Sequence, residues 1–270
     1  MPELPEVEVT RLGITAHLQG ARVRGLTLRD LKLAGRLPAG LSAALVGEPI
    51  QSVERRGKYL LLRFPAGTLL VHLGMTGHLR ILPQDRLPGK HDLFDLALES
   101  GKMLRLNDSR HFGSLHWTSD EPLRHRLLSH LGPEPLTVAF TDRYLYEKSR
   151  GRRVAIQRFI MDGTVVAGVG NIYAAESLFR SALLPTTLAG SLTAEQCRTL
   201  AEAIKAVLGT SIATGSSGMD FCSDAGRLVY YPQQLMVYGR EKQPCRICGT
   251  PIQRGRLGNR STFYCPVCQK

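Results

Sequence analysis

The chain has 270 residues, 35 Lys and Arg against 23 Asp and Glu, a formal charge of +12, and 43% apolar residues. That apolar share suffices to build real cores and excludes a disordered basic tail. No apolar run approaches the roughly 18 residues of a membrane helix, and the acidic start Met1-Pro2-Glu3-Leu4-Pro5-Glu6 lacks the basic-then-apolar pattern of a signal peptide. The expectation is a soluble, cytoplasmic protein with no membrane partner. The surplus charge points to a polyanion, and it is clustered rather than spread. Arg240 to Lys270 holds seven basic residues and one acid, Glu241, while Arg143, Lys148, Arg150, Arg152, Arg153 and Arg158 form a second group.

In chain order, Pro5 suits the first turn of a helix, with Val9, Leu12 and Ala16 on one face. Strand-like runs follow over 58–64, 68–73, 92–98, 102–106 and 113–117, separated by Gly and Pro as in an antiparallel sandwich or barrel. Leu131-Gly132-Pro133-Glu134-Pro135-Leu136 reads as a linker. Beyond it the pattern turns helical. Thr193-Ala194-Glu195-Gln196 is a capping box, and Leu200, Ile204, Val207, Leu208 and Ile212 continue at helical spacing to an end near Gly215. A Gly- and Ser-rich loop then leads to a cysteine module from Tyr238 onward.

Four of the six cysteines read Cys245-Arg246-Ile247-Cys248, sixteen residues, then Cys265-Pro266-Val267-Cys268. This C-x2-C-x16-C-x2-C spacing lets two turns present four thiolates to one tetrahedral Zn²⁺. A four-thiolate shell has no open position, so the expected zinc is structural. Arg254, Arg256 and Arg260 lie between the pairs, with Gly255 and Gly258 expected to shape a turn that presents charge to a DNA groove. Cys197 and Cys222 read as a small apolar side chain and a semi-exposed thiol.

At the N-terminus, Pro2 is small enough to permit removal of Met1, which would expose a secondary amine beside Glu3. An α-amino group titrates near 7.7–8.0, so about a tenth is the neutral nucleophile at pH 7. Such an amine can attack a sugar C1′ and form an iminium that acidifies the C2′ proton.

Met1-Pro2-Glu3-Leu4-Pro5-Glu6-Val7-Glu8, His72-Leu73-Gly74-Met75-Thr76-Gly77, Asp108-Ser109-Arg110-His111-Phe112-Gly113, Gly168-Val169-Gly170-Asn171-Ile172-Tyr173 and the four cysteines occur in this order along the whole chain. Together they resemble the formamidopyrimidine-DNA glycosylases. The resemblance implies an α+β fold: an N-terminal β-sandwich with a leading helix (1–131), a helical domain with a helix–two-turn–helix (132–234) and a zinc finger (235–270). It implies excision of oxidised purines, such as 8-oxoguanine and formamidopyrimidines, and then strand cleavage at the abasic site. The partner would be double-stranded DNA carrying oxidised bases or abasic sites, bound by a monomer holding one structural Zn²⁺.

By the same resemblance, Pro2 is the Schiff-base nucleophile and Glu3 the acid/base. Lys58 donates a proton in β-elimination and contacts phosphate, and Arg260 serves δ-elimination. Met75, Arg110 and Phe112 fill the gap left by the extruded nucleotide, whose flipping costs a few kcal/mol. Asn171 contacts the DNA backbone at a helix start, where N–H groups favour phosphate. His72, His91, Arg152 and Tyr238 complete the expected DNA-binding set.

The sequence departs from the family in three places. Gln157 stands where a lysine is frequent. Val229 replaces a second glycine in the 216–231 loop, although the aromatic Tyr230 is kept. Asp108-Ser109-Arg110-His111-Phe112 replaces the more usual Asp-Pro-Arg-Arg-Phe. These changes bear on base preference more than on reaction type. The alternatives are an endonuclease VIII-like enzyme for oxidised pyrimidines and a non-catalytic zinc-finger DNA-binding protein. Leu4, where the endonuclease VIII-like branch usually has Gly, and the Met/Arg/Phe set favour the purine enzyme.

Overall fold

The computed structural model describes residues 2–34, 36–216 and 234–270. The expectations for Cys222, Val229 and Tyr230 lie outside the described residues. The chain divides into two compact units, the first built on Met1–Ser129 and the second on His130–Ala213 and Pro232–Lys270.

The first unit opens with helix α1 (Leu4–Leu18). Its buried side chains include Leu4, Val7, Val9, Ile14 and Leu18, whereas Leu12 is 42% exposed and Ala16 is exposed. The expected face therefore keeps only Val9; the remaining buried positions lie around the helix from Leu12 and Ala16. Two short helices, α2 (Leu31–Ala34) and α3 (Leu41–Ala44), and eight strands follow. The strands are β1 (Val23–Leu28), β2 (Ser52–Arg56), β3 (Tyr59–Phe64), β4 (Gly67–His72), β5 (His78–Pro83), β6 (Asp92–Leu98), β7 (Lys102–Asn107) and β8 (Ser114–Thr118). They form two antiparallel four-stranded sheets, in the orders β1-β6-β7-β5 and β2-β3-β4-β8.

Alternation along the strands decides what fills the core. Leu60, Leu62, Phe64, Leu69 and Val71 meet Phe94, Leu96, Leu98, Leu104 and Leu106 in one apolar cluster. On the other face of β6 and β7, Asp95 lies opposite Arg105. Arg105 grips it through Nε at 2.7 Å and Nη2 at 2.8 Å.

The second unit contains α4 (Asp142–Ser149), α5 (Ile156–Ile160), α6 (Asn171–Arg180) and α7 (Ala194–Ser216). Two turns anchored by Asp162 and Val165 separate α5 from α6, the expected helix–two-turn–helix. The capping box at α7 forms as expected: Thr193 N–H donates to Gln196 Oε1 at 2.9 Å, and Gln196 N–H donates to Thr193 Oγ1 at 3.1 Å. Leu145, Ile156, Phe159, Tyr173, Leu178, Leu200, Ile204 and Leu208 share its core. A smaller cluster joins Ala175 and Phe179 of α6 to Val237, Ile252 and Phe263. The last two strands, β9 (Gln253–Leu257) and β10 (Arg260–Tyr264), form an antiparallel hairpin. Gly258 takes the positive φ of its turn, whereas Gly255 lies within β9, opposite Thr262. Among the described residues no helix is long and apolar enough to cross a membrane.

Candidate active site and nucleic-acid interface

Pro2 and Glu3 are both buried immediately ahead of α1. Glu3 is the extended N-cap and forms a reciprocal capping box with Glu6, whose Oε2 accepts from Glu3 N–H at 2.8 Å. The start of the chain is thus locked in register with its first helix.

Lys58 is half-buried in the two-residue link between β2 and β3, where Gly57 takes φ +56°. The link is tied to α1 through one arginine. Arg55 donates from Nη1 to Gly57 O at 3.0 Å and from Nε to Glu8 Oε2 at 2.7 Å, while Arg11 holds the other Glu8 oxygen at 2.7 Å. Burial works to raise the pKa of Glu8, but the hydrogen bonds from Arg11 and Arg55 and their charges leave it below the ordinary value. The carboxylate therefore stays ionised between its two arginines.

His72 ends β4 opposite Tyr59, with ring centroids 4.8 Å apart. Burial, then the charges of Lys58 and His116, push its pKa down to about 4. The ring is neutral at physiological pH. Its Nδ1 accepts from Gly74 N–H at 3.1 Å, so the proton sits on Nε2, which can donate to an anion.

Two loops converge on Asp108, a fully buried side chain. Its Oδ2 accepts from Phe112 N–H and Gly113 N–H, each at 2.8 Å. Its Oδ1 accepts from Arg110 N–H at 3.1 Å and from the Thr76 hydroxyl. Burial raises the Asp108 pKa, and these donors together bring it below the ordinary 3.8. Gly74 takes φ +67°, and a Cβ there would lie 2.5 Å from the Phe112 carbonyl carbon. The contact permits only glycine. Beyond this clasp Met75, 38% exposed, and Phe112, 54% exposed, face outward, with the Arg110 guanidinium 4.8 Å from the Phe112 ring centroid. His91 joins the group: its carbonyl accepts from Asp108 N–H at 2.9 Å, and its ring meets His111 edge-on at 6.3 Å. The Asp108 carboxylate thus holds Arg110 and Phe112 directly and the Met75 loop through Thr76, while the Asp108 backbone N–H holds His91.

In the second unit, Gly168 takes φ +83° and Gly170 is the N-cap of α6, offering no side chain over the helix start at Asn171. Asn171 Nδ2 donates to Ser261 O at 2.8 Å, so the helix start is bonded to β10. Arg152, Arg158 and Arg260 line a cavity of about 500 Å³ with Phe159, Val165 and Gly258, which brings Arg152, expected to bind DNA, together with Arg260, expected to serve δ-elimination. Tyr238 packs edge-on against Phe263 at 5.1 Å. Its backbone is fixed by Glu176, a buried carboxylate on α6 that accepts from Met236, Val237 and Tyr238 N–H at 2.8, 3.0 and 2.8 Å.

The Sγ atoms of Cys245, Cys248, Cys265 and Cys268 all lie within 4.8 Å of one another. Cys245–Cys268 and Cys248–Cys265 are 3.9 and 3.5 Å apart. A tetrahedron with Zn–S of about 2.3 Å has edges of ~3.8 Å, so the donor set fits Zn²⁺. Bare thiols share the space poorly. Hydrogen bonding from Thr250 draws Cys248 down to about 6, while Cys248 drives Cys268 up to about 12.

Three family models cover the chain in order: the formamidopyrimidine-DNA glycosylase N-terminal domain over residues 1–115, the formamidopyrimidine-DNA glycosylase H2TH domain over 131–223, and the zinc finger found in FPG and IleRS over 242–270. A formamidopyrimidine-DNA glycosylase from Geotalea uraniireducens is 54% identical over 270 residues, covering all of both chains. The chain belongs to the formamidopyrimidine-DNA glycosylase family. Among solved members, the Lactococcus lactis enzyme bound non-covalently to DNA with an AP site is 29% identical, with TM-score 0.89 and complete coverage of both chains. The Thermus thermophilus protein is 36% identical, with TM-score 0.84, covering 99% of this chain and 98% of that one.

Within the chain, the expected site residues fall into two sets, one in each unit. Pro2, Glu3, Lys58, His72, Met75, His91, Arg110 and Phe112 belong to the first, and Arg152, Asn171, Tyr238, Arg260 and the cysteines to the second. Sequence reading missed the residues that hold them. Asp108 was legible only as part of a motif, Glu176 as an acid on an apolar helix face, and Glu8 as one of several early acids. The signal common to all three is a carboxylate inside an otherwise apolar or basic segment.

Proposed function

We propose that this chain excises oxidised purines from double-stranded DNA and cleaves the resulting abasic site. The supporting observation is the N-terminus: a buried Pro2–Glu3 pair capped onto α1, which the Glu8–Arg55–Gly57 connection ties to the turn bearing Lys58. With Met1 removed, the Pro2 amine attacks C1′ of the damaged nucleoside. The C1′–N bond to the base breaks, and the C1′–O4′ bond then opens as the amine lone pair forms the iminium, with Glu3 supplying the proton that the departing base or the ring oxygen requires.

The resulting iminium withdraws electrons from C2′. Loss of a C2′ proton expels the 3′ phosphate, with Lys58 as proton donor, and a second elimination assisted by Arg260 expels the 5′ phosphate. Neutral His72, with a proton on Nε2, and Asn171 at the start of α6 hold backbone phosphates, as do His91, Arg152 and Tyr238. Met75, Arg110 and Phe112 occupy the space the extruded nucleotide vacates, and Arg110 offers donors to the orphaned base.

The zinc bound by Cys245, Cys248, Cys265 and Cys268 has a structural role, stabilising the fold of the hairpin that carries Arg260. The reading takes three working parts, 1–131, 132–234 and 235–270, in a cytoplasmic monomer.

The test is borohydride trapping of the processed protein on duplexes carrying 8-oxoguanine, an oxidised pyrimidine or an abasic site, beside Pro2→Gly. A Pro2-dependent adduct on 8-oxoguanine is expected. Capture mainly on the pyrimidine lesion would overturn the purine assignment, and no adduct even on the abasic duplex would overturn the enzyme.

A further inference from the structure

The residue at 157, where this sequence leaves its family's habit, sits at a junction. Gln157 is 1% exposed on α5, and Thr262, on β10, is equally buried. Gln157 Nε2 donates to Asn171 Oδ1 at 2.8 Å, and Gln157 Oε1 accepts from the Thr262 hydroxyl. Asn171 Nδ2 in turn donates to Ser261 O at 2.8 Å.

The direction of this chain follows from its last link. A backbone carbonyl only accepts, so Asn171 must turn its amide nitrogen to Ser261 and its oxygen to Gln157. Gln157 must then present nitrogen to Asn171 and oxygen to Thr262, which donates. Reversing Asn171 sets donor against donor at Gln157 and oxygen against oxygen at Ser261, and reversing Gln157 sets oxygen against oxygen at Asn171, in a buried place where each unmade bond is costly.

We infer that Gln157 is a positioning residue that fixes the amide of Asn171 and, through Thr262 and Ser261, holds the strand carrying Arg260 against the start of α6. Asn171, which holds the DNA backbone, and Arg260, which assists the second elimination, are then placed as one preset unit. The inference rests on the roles proposed for Asn171 and Arg260. It also separates side chains at 157 by chemistry rather than size. A lysine donates to Asn171 Oδ1 and Thr262 Oγ1 and preserves the Asn171 orientation. A glutamate has only acceptors, faces Asn171 Oδ1 with like charge, and forces that amide to turn away from Ser261.

The experiment compares Gln157→Glu, Gln157→Lys and Thr262→Val in the zinc-loaded full chain, with zinc content and melting temperature as checks on the fold. Two readouts are taken: affinity for a duplex holding a tetrahydrofuran abasic analogue, which cannot form an imine, and the δ-to-β product ratio on a natural abasic duplex. Gln157→Glu is expected to weaken binding about tenfold and lower the ratio, with Gln157→Lys within about twofold of the parent. Thr262→Val, which lets the Gln157 amide turn, shifts both readouts in the same direction by less. It also decides the matter if Gln157→Glu does not hold its zinc.

Equal effects of Glu and Lys, or none from Glu and Val, overturn the inference. Arg260→Gln serves as the control on the underlying reading. If it leaves the product ratio unchanged, the role given to Arg260 fails separately and the affinity pattern alone decides Gln157.

Discussion

Asp108 offers a direct test of whether the gap-filling residues work because they are held in advance. Asp108→Asn changes one oxygen to an amide nitrogen at constant size. Each oxygen accepts two hydrogen bonds. An amide nitrogen in place of Oδ1 can still donate to the Thr76 hydroxyl, so the variant loses the Arg110 N–H bond and sets N–H against N–H there. At about 1.5–3 kcal/mol for the lost bond to a charged group and about 1–3 kcal/mol for the donor left unsatisfied, the local loss is about 2.5–6 kcal/mol, enough to loosen the 108–113 loop from the 72–77 loop.

Met75, Arg110 and Phe112 then sample many positions, and the cost of ordering them falls on the step that extrudes a damaged base. An abasic site has no base to extrude and escapes most of that cost. Single-turnover excision of 8-oxoguanine should fall about a hundredfold, and cleavage of a preformed abasic duplex less than about tenfold. Thr76→Val removes one bond and should fall between the parent and Asp108→Asn. Equal losses on both substrates would show that the clasp serves general stability, and no loss on either would show that preorganisation is irrelevant. Because the folded pKa of Asp108 lies below 3.8, its stabilising contribution is complete above that value and fades only as the pH falls further.

His72 should titrate near 4 in the folded protein, and Lys58→Met should raise that midpoint by removing the second largest cause of the depression after burial. From pH 6.5 down to about 4 the unfolded chain takes up a proton that the folded chain refuses, so stability declines across that window. An NMR titration of the ring with an unmoved midpoint in Lys58→Met would contradict the placement of the two groups. Thiol-selective modification of the cysteines should release about one zinc per chain, detectable with a colorimetric indicator, with loss of β9–β10 structure. A stoichiometry near zero or two would refute the single four-thiolate site.

The sequence revealed the central strands and one edge strand, β8, and missed the other three edge strands. β3, β4, β6 and β7 are rich in Leu, Val and Phe because neighbours flank them on both sides. β1, β2 and β5 lie at sheet edges and read as Val-Arg-Gly, Ser-Val-Glu-Arg-Arg and His-Leu-Arg-Ile-Leu-Pro. Polar residues and Pro suit an edge, which must not pair further, and they erase the alternation that marks a strand. The zinc cysteines were legible because a metal shell is written in short local spacings. Gln157, Asn171 and Thr262 were not legible as a set: their bonds join positions up to 105 apart in sequence, and no local pattern records which partner a buried amide will find.

The two units have separate apolar interiors: the cluster around Phe94 and Leu104 belongs to one, and the clusters around Tyr173 and Phe263 to the other. If each interior melts on its own, no single unfolding free energy describes the molecule. Heating that opens the β-sandwich removes Pro2 and Glu3 from use while leaving the arginine cavity, the helix start and the zinc hairpin folded. A partly heat-inactivated sample would hold molecules that still occupy DNA and no longer repair it. Such molecules would compete with their intact copies, so activity would fall faster with temperature than the fraction of damaged protein alone accounts for.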